Sequence, residues 1–167
     1  MTRRSWLTAA VALTGCGFRG APVEQRSKAV EQSGNGRLTD AQWRELLSYA
    51  EYAVLREKGT EPAFSHPLNS EKRAGQYNCA GCQLPLFSSS AKFDSGTGWP
   101  SFWEPLPGPA VDSEADSSMG ITRTEVLCHR CGGHLGHVFD DGPPPTGLRY
   151  CINGTALRFV PHEGSQS

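Results

Sequence analysis

Between residues 40 and 58 the apolar positions recur at helical spacing: Trp43, Leu46, Leu47, Ala50, Ala53 and Val54 fall on one face of a 3.6-residue period. Thr39 followed by Gln42 three residues later fits a capping box. The pattern predicts one helix from Asp40 to Lys58, closed by Gly59, whose stripe packs into a core. From Gly75 onward the period changes. Segments become short, rich in Gly, Pro and Ser, and several alternate. Gly120 to Leu127, His134 to Phe139, Leu148 to Ile152 and Ala156 to Val160 read as strands, and Gly75 to Asn78 leads into a cysteine pair. The proline run Pro143-Pro144-Pro145 cannot supply ladder donors and reads as a loop. The expected class is mainly antiparallel β with an N-terminal helix.

The ends have a different character. Arg3 and Arg4 precede a short apolar run, Trp6 to Leu13, too short to span a bilayer. Leu13-Thr14-Gly15-Cys16 resembles a bacterial lipoprotein signal (residues 1–16), in which cleavage leaves Cys16 as a lipidated N-terminus. Thr2 to Leu7 also resembles a twin-arginine export motif, with Trp6 where Phe is usual. Residues 17–37 are polar and read as a flexible tether, residues 38–162 as one compact domain, and residues 163–167 as a polar tail. The expected location is an exported protein, lipid-anchored to a bacterial membrane on its periplasmic or outer face. Cleavage before Cys16 would leave 14 basic against 17 acidic residues, with no dense basic run. Nucleic-acid binding, which leans on a basic patch, is not expected.

The six cysteines sort by spacing. Cys79 and Cys82 form one C-x-x-C and Cys128 and Cys131 a second, with 45 residues between them. Two such pairs in a small domain match a structural zinc site, closed by four thiolates and without an open position for catalysis. Gly81, Gly132 and Gly133 are expected to ease the turns. Disulfides are the rival reading, because an exported protein meets an oxidising compartment. Export of the folded chain through a twin-arginine route would let zinc load first.

Cys151 stands alone in Arg149-Tyr150-Cys151-Ile152-Asn153. A lone cysteine is often an inert core residue. Arg149, on the same face of a strand, would lower its pKa, and Asn153 on that face can donate to an anion or a substrate. His134 and His137, on an adjacent candidate strand, are candidate proton donors near neutral pH.

Gly98-Trp99-Pro100-Ser101-Phe102, His134 to Phe139 and Arg149 to Asn153, together with both C-x-x-C pairs, resemble the methionine sulfoxide reductase B family from Leu38 through Phe159. Glu57 to Glu61 and Pro85-Leu86-Phe87 follow the same pattern. The resemblance implies two small antiparallel sheets, a structural zinc, and reduction of the R epimer of methionine sulfoxide in oxidised proteins by a monomer. It implies Cys151 as the nucleophile that becomes a sulfenic acid, with His134, His137 and Asn153 as its catalytic partners. It further implies Trp99, Phe139, Asp141 and Arg149 as substrate-side residues. Two departures stand out. Many members carry a cysteine just before Gly-Trp-Pro, where this chain has Thr97. The sulfenic acid is therefore expected to be reduced by an external thiol, from a thioredoxin-like protein or another donor. Gly154-Thr155 replaces a Ser-Ala-like pair, which is expected to loosen the turn. A non-catalytic zinc-ribbon module and a thiol–disulfide oxidoreductase using one C-x-x-C are the competing functions.

Overall fold

Two antiparallel sheets face each other across an aromatic core in the computed structural model, which describes residues 20–34, 37–118 and 120–162. The smaller sheet places β1 (Gly75–Cys79) between β2 (Pro85–Ser88) and β9 (Leu157–Pro161). The larger runs in the order β3 (Lys92–Phe93), β4 (Ser101–Phe102), β8 (Arg149–Ile152), β7 (His134–Phe139), β6 (Arg123–Cys128), β5 (Val111–Asp116). Tyr77 and Phe87 of the small sheet meet Phe102 of the large one, at centroid distances of 4.9 Å edge-on and 4.4 Å stacked. Phe159 and Tyr150 extend the cluster from either side. Edge-to-face and offset contacts of this kind favour aromatic pairs beyond their buried area.

The four expected strands are present, with ends moved by up to three residues. β5 was not foreseen. Its sequence, Val-Asp-Ser-Glu-Ala-Asp, shows no apolar alternation because it is an exposed edge strand. Charges on such an edge discourage pairing with other chains.

The single helix expected over residues 40–58 is two, α2 (Asp40–Leu46) and α3 (Tyr49–Leu55). The Thr39–Gln42 capping box forms as the pattern predicts. A second one breaks the helix: the Ser48 hydroxyl accepts from the Glu51 N–H at 3.3 Å, and the Glu51 carboxylate accepts from the Ser48 N–H at 2.8 Å. This local bonding competes with helix continuation, and Leu47 is extended. At the end of α3, Lys58 rather than Gly59 takes the left-handed conformation, with φ 57°.

The tether expected over residues 17–37 is interrupted by α1 (Val23–Gln32), which docks on the domain. Arg26 is 3% exposed. It donates to Glu51 at 2.9 Å and to the carbonyls of Ala80 at 2.9 Å and Ala21 at 2.7 Å. Arg158 donates to the same Glu51 oxygen. Polarity misleads here because the buried residue is an arginine whose partner lies 25 residues on. The expected signal, with Cys16, and the polar tail lie outside the described residues.

Burial pushes the Glu51 carboxyl up, but the bonds from Arg26, Ser48 and Arg158 outweigh it and hold it low. A depressed carboxyl contributes stability above its unfolded pKa and loses it as pH falls through the folded value. Glu51→Gln is expected to cost about 3 kcal/mol at pH 7, the scale for breaking a buried ion pair. Urea unfolding would show that cost shrinking towards low pH, as the wild-type carboxyl also becomes neutral.

Candidate active site and candidate metal centre

The two cysteine pairs converge. Cys79 ends β1 in the small sheet and Cys128 ends β6 in the large one, so the cluster joins the sheets. All four Sγ atoms lie within 4.8 Å of one another, with Cys79 and Cys131 at 3.8 Å and Cys82 and Cys128 at 3.5 Å. A tetrahedron with zinc–sulfur bonds of about 2.3 Å has edges of about 3.8 Å. The donors therefore fit a tetrahedral metal, and the spacings are far from a disulfide's bond length of about 2.05 Å.

The knuckles share one backbone pattern. The amides of Gln83 and Gly132 return to the carbonyls of Cys79 and Cys128 at 2.9 and 2.8 Å. Both residues have positive φ, 62° and 66°. Gln83, not the expected Gly81, takes the strained position of the first knuckle. Packed this tightly, the thiols share protons: bonds from Cys131, Cys79 and Cys82 pull Cys128 down, and bonds with Cys128 push Cys79 and Cys131 up. A divalent cation would take the place of those protons. All four cysteines are buried. Disulfide exchange needs an accessible attacking thiol, so their burial counts against the oxidoreductase alternative.

Cys151 sits in the middle of the large sheet, opposite His137 on β7 and Ser101 on β4. It opens into a cavity of about 140 Å³ lined by Thr60, Trp99, His137, Phe139, Cys151 and Asn153 among others. Gly136 lets the strands close, since a Cβ there would run into the Cys151 carbonyl.

His134 and His137 are three apart and would point to opposite faces of a regular strand. A bulge opposite Val126 and Leu127 inserts one extra residue and returns both to one face. Their rings meet edge-on at 5.5 Å. Their roles then diverge. His137 reaches the cavity, whereas His134 is 2% exposed. His134 Nδ1 lies 2.6 Å from Glu125, which is buried and also accepts from Lys58 at 2.7 Å. Burial pushes His134 down, against the pull of Glu125. Among the described residues its Nε2 has no hydrogen-bond partner. His137 Nε2 lies 2.7 Å from Asp116, whose carboxylate also accepts from Arg123 at 2.9 Å and the Ser118 N–H at 3.0 Å. Hydrogen bonds from Ser118 and His137 hold Asp116 far below the usual carboxylate range. An ionised carboxylate only accepts, so His137 Nε2 carries a proton.

Sequence reasoning missed Glu125, Asp116 and Glu61. Glu125 lies in a strand with ordinary polar alternation, and Asp116 ends an exposed edge strand that shows none. Glu61 lies in the quoted Glu57 to Glu61 stretch without an assigned role. Its carbonyl accepts the Trp99 indole N–H at 3.0 Å and its N–H donates to Asn153 Oδ1 at 3.0 Å. Its carboxylate accepts from the N–H groups of Gly154 and Thr155 at 2.7 and 2.8 Å, and from the Thr155 hydroxyl at 2.6 Å. One residue thus sets the indole, the amide and the turn after Cys151. The Gly154-Thr155 pair is tied down by Glu61 rather than loosened. Asn153 also donates to the Leu135 carbonyl at 3.0 Å, so both ends of its amide hold backbone.

Arg149 makes a two-pronged bond to Asp141 at 2.8 and 2.9 Å and lies 4.4 Å from the Phe139 ring centre. Arg149 pulls the Cys151 thiol down, as expected, but the net shift is upward. Burial pushes the thiol up, and the opposing pull of Arg149 and Thr97 does not overcome it. Alkylation of Cys151 by iodoacetamide is therefore expected to quicken about tenfold per pH unit from pH 7 to 8.5, with no plateau near neutrality. Arg149→Gln should slow it by about fivefold or more at pH 7.5, by removing a nearby cation.

The SelR domain family matches residues 47–161. The chain is 60% identical over 125 residues to "Peptide methionine sulfoxide reductase MsrB" of Thiobacillus denitrificans, covering 75% of this chain and 95% of that protein. Proteins of the same name in Pseudomonas putida and Bradyrhizobium diazoefficiens are 56% identical over 124 residues and 60% over 123, covering 74% of this chain and 93% and 88% of theirs.

Proposed function

Because this chain belongs to the methionine sulfoxide reductase B family of oxidoreductases, we propose that it reduces the R epimer of protein-bound methionine sulfoxide at Cys151. The observation that carries this reading is the meeting of a thiol, a histidine N–H system and an indole around one small cavity. The sulfoxide oxygen moves from the substrate sulfur to the cysteine sulfur. Cys151 loses its proton and attacks the sulfoxide sulfur, which forms a sulfur–sulfur bond while the oxygen is protonated from the His137 side. The oxygen then bonds to the cysteine sulfur as the substrate's sulfur–oxygen bond and the new sulfur–sulfur bond break, so methionine leaves and Cys151 is left as S–OH. Trp99, fixed by its bond to Glu61, offers the apolar wall for the methyl end of the side chain. His134 and Glu125 back His137 from the interior.

Two molecules of an external thiol then restore Cys151, releasing water and a disulfide. The position before Gly98 is Thr97, and the other described cysteines belong to the metal cluster. Cys79, Cys82, Cys128 and Cys131 would hold zinc, which would tie the end of β1 to the end of β6. Cys16 would anchor the exported protein to a bacterial membrane. With Ala21 and Arg26 bonded into the domain, that anchor would keep the enzyme close to the lipid surface.

The test is turnover of separate R and S sulfoxide peptides with a thiol donor. Reduction of R alone is expected, and preference for S would overturn the epimer assignment. Mass spectrometry after one turnover without reductant should find Cys151 as sulfenic acid. A disulfide involving Cys151 would overturn the external-thiol step, and an unprocessed Met1 in membrane fractions would overturn the anchor.

A further inference from the structure

We propose that a groove beside the Cys151 cavity is a subsite for an apolar side chain two residues away from the methionine sulfoxide of an oxidised polypeptide. The inference rests on the reading of the Cys151 cavity as the place of sulfoxide reduction, and adds what the enzyme recognises around the sulfoxide.

The groove measures about 480 Å³ and lies where β6 begins, β7 ends and β8 begins. Ile121, Val138, Phe139 and Leu148 give it apolar walls, with Arg123 and Asp140 among the polar ones. Arg123 and Phe139 also line the Cys151 cavity, so the two spaces share a wall. The cavities at α1 and α2, at Tyr49 and at Lys72 share no lining residue with the Cys151 cavity.

At about 140 Å³ the Cys151 cavity is smaller than pockets that take a whole small ligand, which start at about 300 Å³. It has room for one side chain. A sulfoxide within a polypeptide therefore leaves the rest of the chain on the surface outside. In an extended peptide adjacent side chains point to opposite faces, and those two apart share a face at about 7 Å. The residue next to the sulfoxide thus turns away from the enzyme, and the following one comes down beside the cavity, where the groove lies.

Ile121 is 68% exposed. A single exposed apolar residue is ordinary, but this one shares its groove with three half-buried apolar side chains, Val138, Phe139 and Leu148. An apolar occupant removes their remaining surface from water, with a gain proportional to the area covered. At the shared wall, Arg123 donates from Nη2 to Asp116 at 2.9 Å, while its Nε is buried with no partner among the described residues. A buried donor without a partner is costly. A peptide carbonyl passing between cavity and groove supplies an acceptor for that guanidinium.

The test compares kcat/KM of the full chain on N-acetyl-methionine R-sulfoxide and on R-sulfoxide peptides with leucine or serine two residues before or two residues after the sulfoxide. Leucine on one of the two sides is expected to raise kcat/KM about tenfold over serine, mainly through KM, the scale of partly burying one leucine. Ile121→Ser and Leu148→Ser are each expected to cut that ratio to about twofold, as apolar wall is lost. If Leu148→Ser does not fold, as judged by a thermal melt, Ile121→Ser, at an exposed position, decides. Equal values for the leucine and serine peptides, with N-acetyl-methionine sulfoxide turned over, would overturn the subsite and leave the reading of Cys151 standing. So would an equal gain from leucine directly beside the sulfoxide, a leucine preference that survives Ile121→Ser, or an equal fall on every substrate in the variants, which would indicate packing. Turnover of none of the sulfoxides would overturn the reading of Cys151 and the subsite with it.

Discussion

Cys151→Ser is expected to abolish sulfoxide reduction, by about 10⁴-fold or more, while leaving the fold and metal content as in wild type. A serine hydroxyl is scarcely ionised near neutral pH, whereas even a raised thiol keeps a small thiolate fraction and an intrinsically reactive sulfur. The substitution changes little in volume, and Cys151 is only partly buried. β8 keeps its register with β4 and β7, because that register is set by backbone bonds and by the close approach at Gly136. The other described cysteines cannot substitute, since they sit in the buried cluster. Turnover of an R-sulfoxide peptide, together with a thermal melt, checks both halves. Retained activity in a folded variant would remove Cys151 from the mechanism.

The second large effect concerns the metal. Cys82→Ala or Cys128→Ala is expected to abolish zinc binding and to unfold the domain or lower its melting temperature by more than about 20 °C. Structural zinc sites bind with apparent free energies of about 10–16 kcal/mol in small peptides. Whole domains are stable by only about 5–15 kcal/mol. Losing the metal can therefore remove all the stability there is. The cluster joins the last residue of β1 to the last residue of β6, so its loss uncouples the sheets that hold Cys151 and the aromatic core. Elemental analysis of the wild type should find one zinc per chain. A metal-free wild type that melts normally would refute the assignment.

The two effects draw on features that were legible to very different degrees. The C-x-x-C pairs are visible because each is a local spacing, and the fold has only to bring two such turns together. Cys151 is visible as the cysteine outside both pairs within residues 38–162. The histidines are half visible: their residue type suggests proton transfer, but their spacing places them on opposite faces unless a bulge intervenes, and Gly136 between them is the one local sign of that bulge. Arg26 shows the opposite error. It reads as a solvated charge, and only Glu51 and the Ala80 carbonyl turn it into a core residue. The break between α2 and α3 was written in Ser48 and Glu51, a second capping box hidden inside a continuous apolar stripe.

The sequence by itself determined the residue types available for chemistry in the domain: four thiols in pairs spaced for a metal, one thiol apart, a threonine before Gly98, and β-rich patterning after Gly75. Tertiary structure decided which groups act together and in what protonation state. His137 faces the cavity on a carboxylate from β5, while His134 is buried on one from β6 and linked through it to Lys58, 67 residues from Glu125. Arg149 loses to burial in setting the Cys151 thiol. The physical reason is that donors and ligands are properties of single residues and short spacings. Desolvation and charge pairing depend on neighbours that only the packed chain supplies.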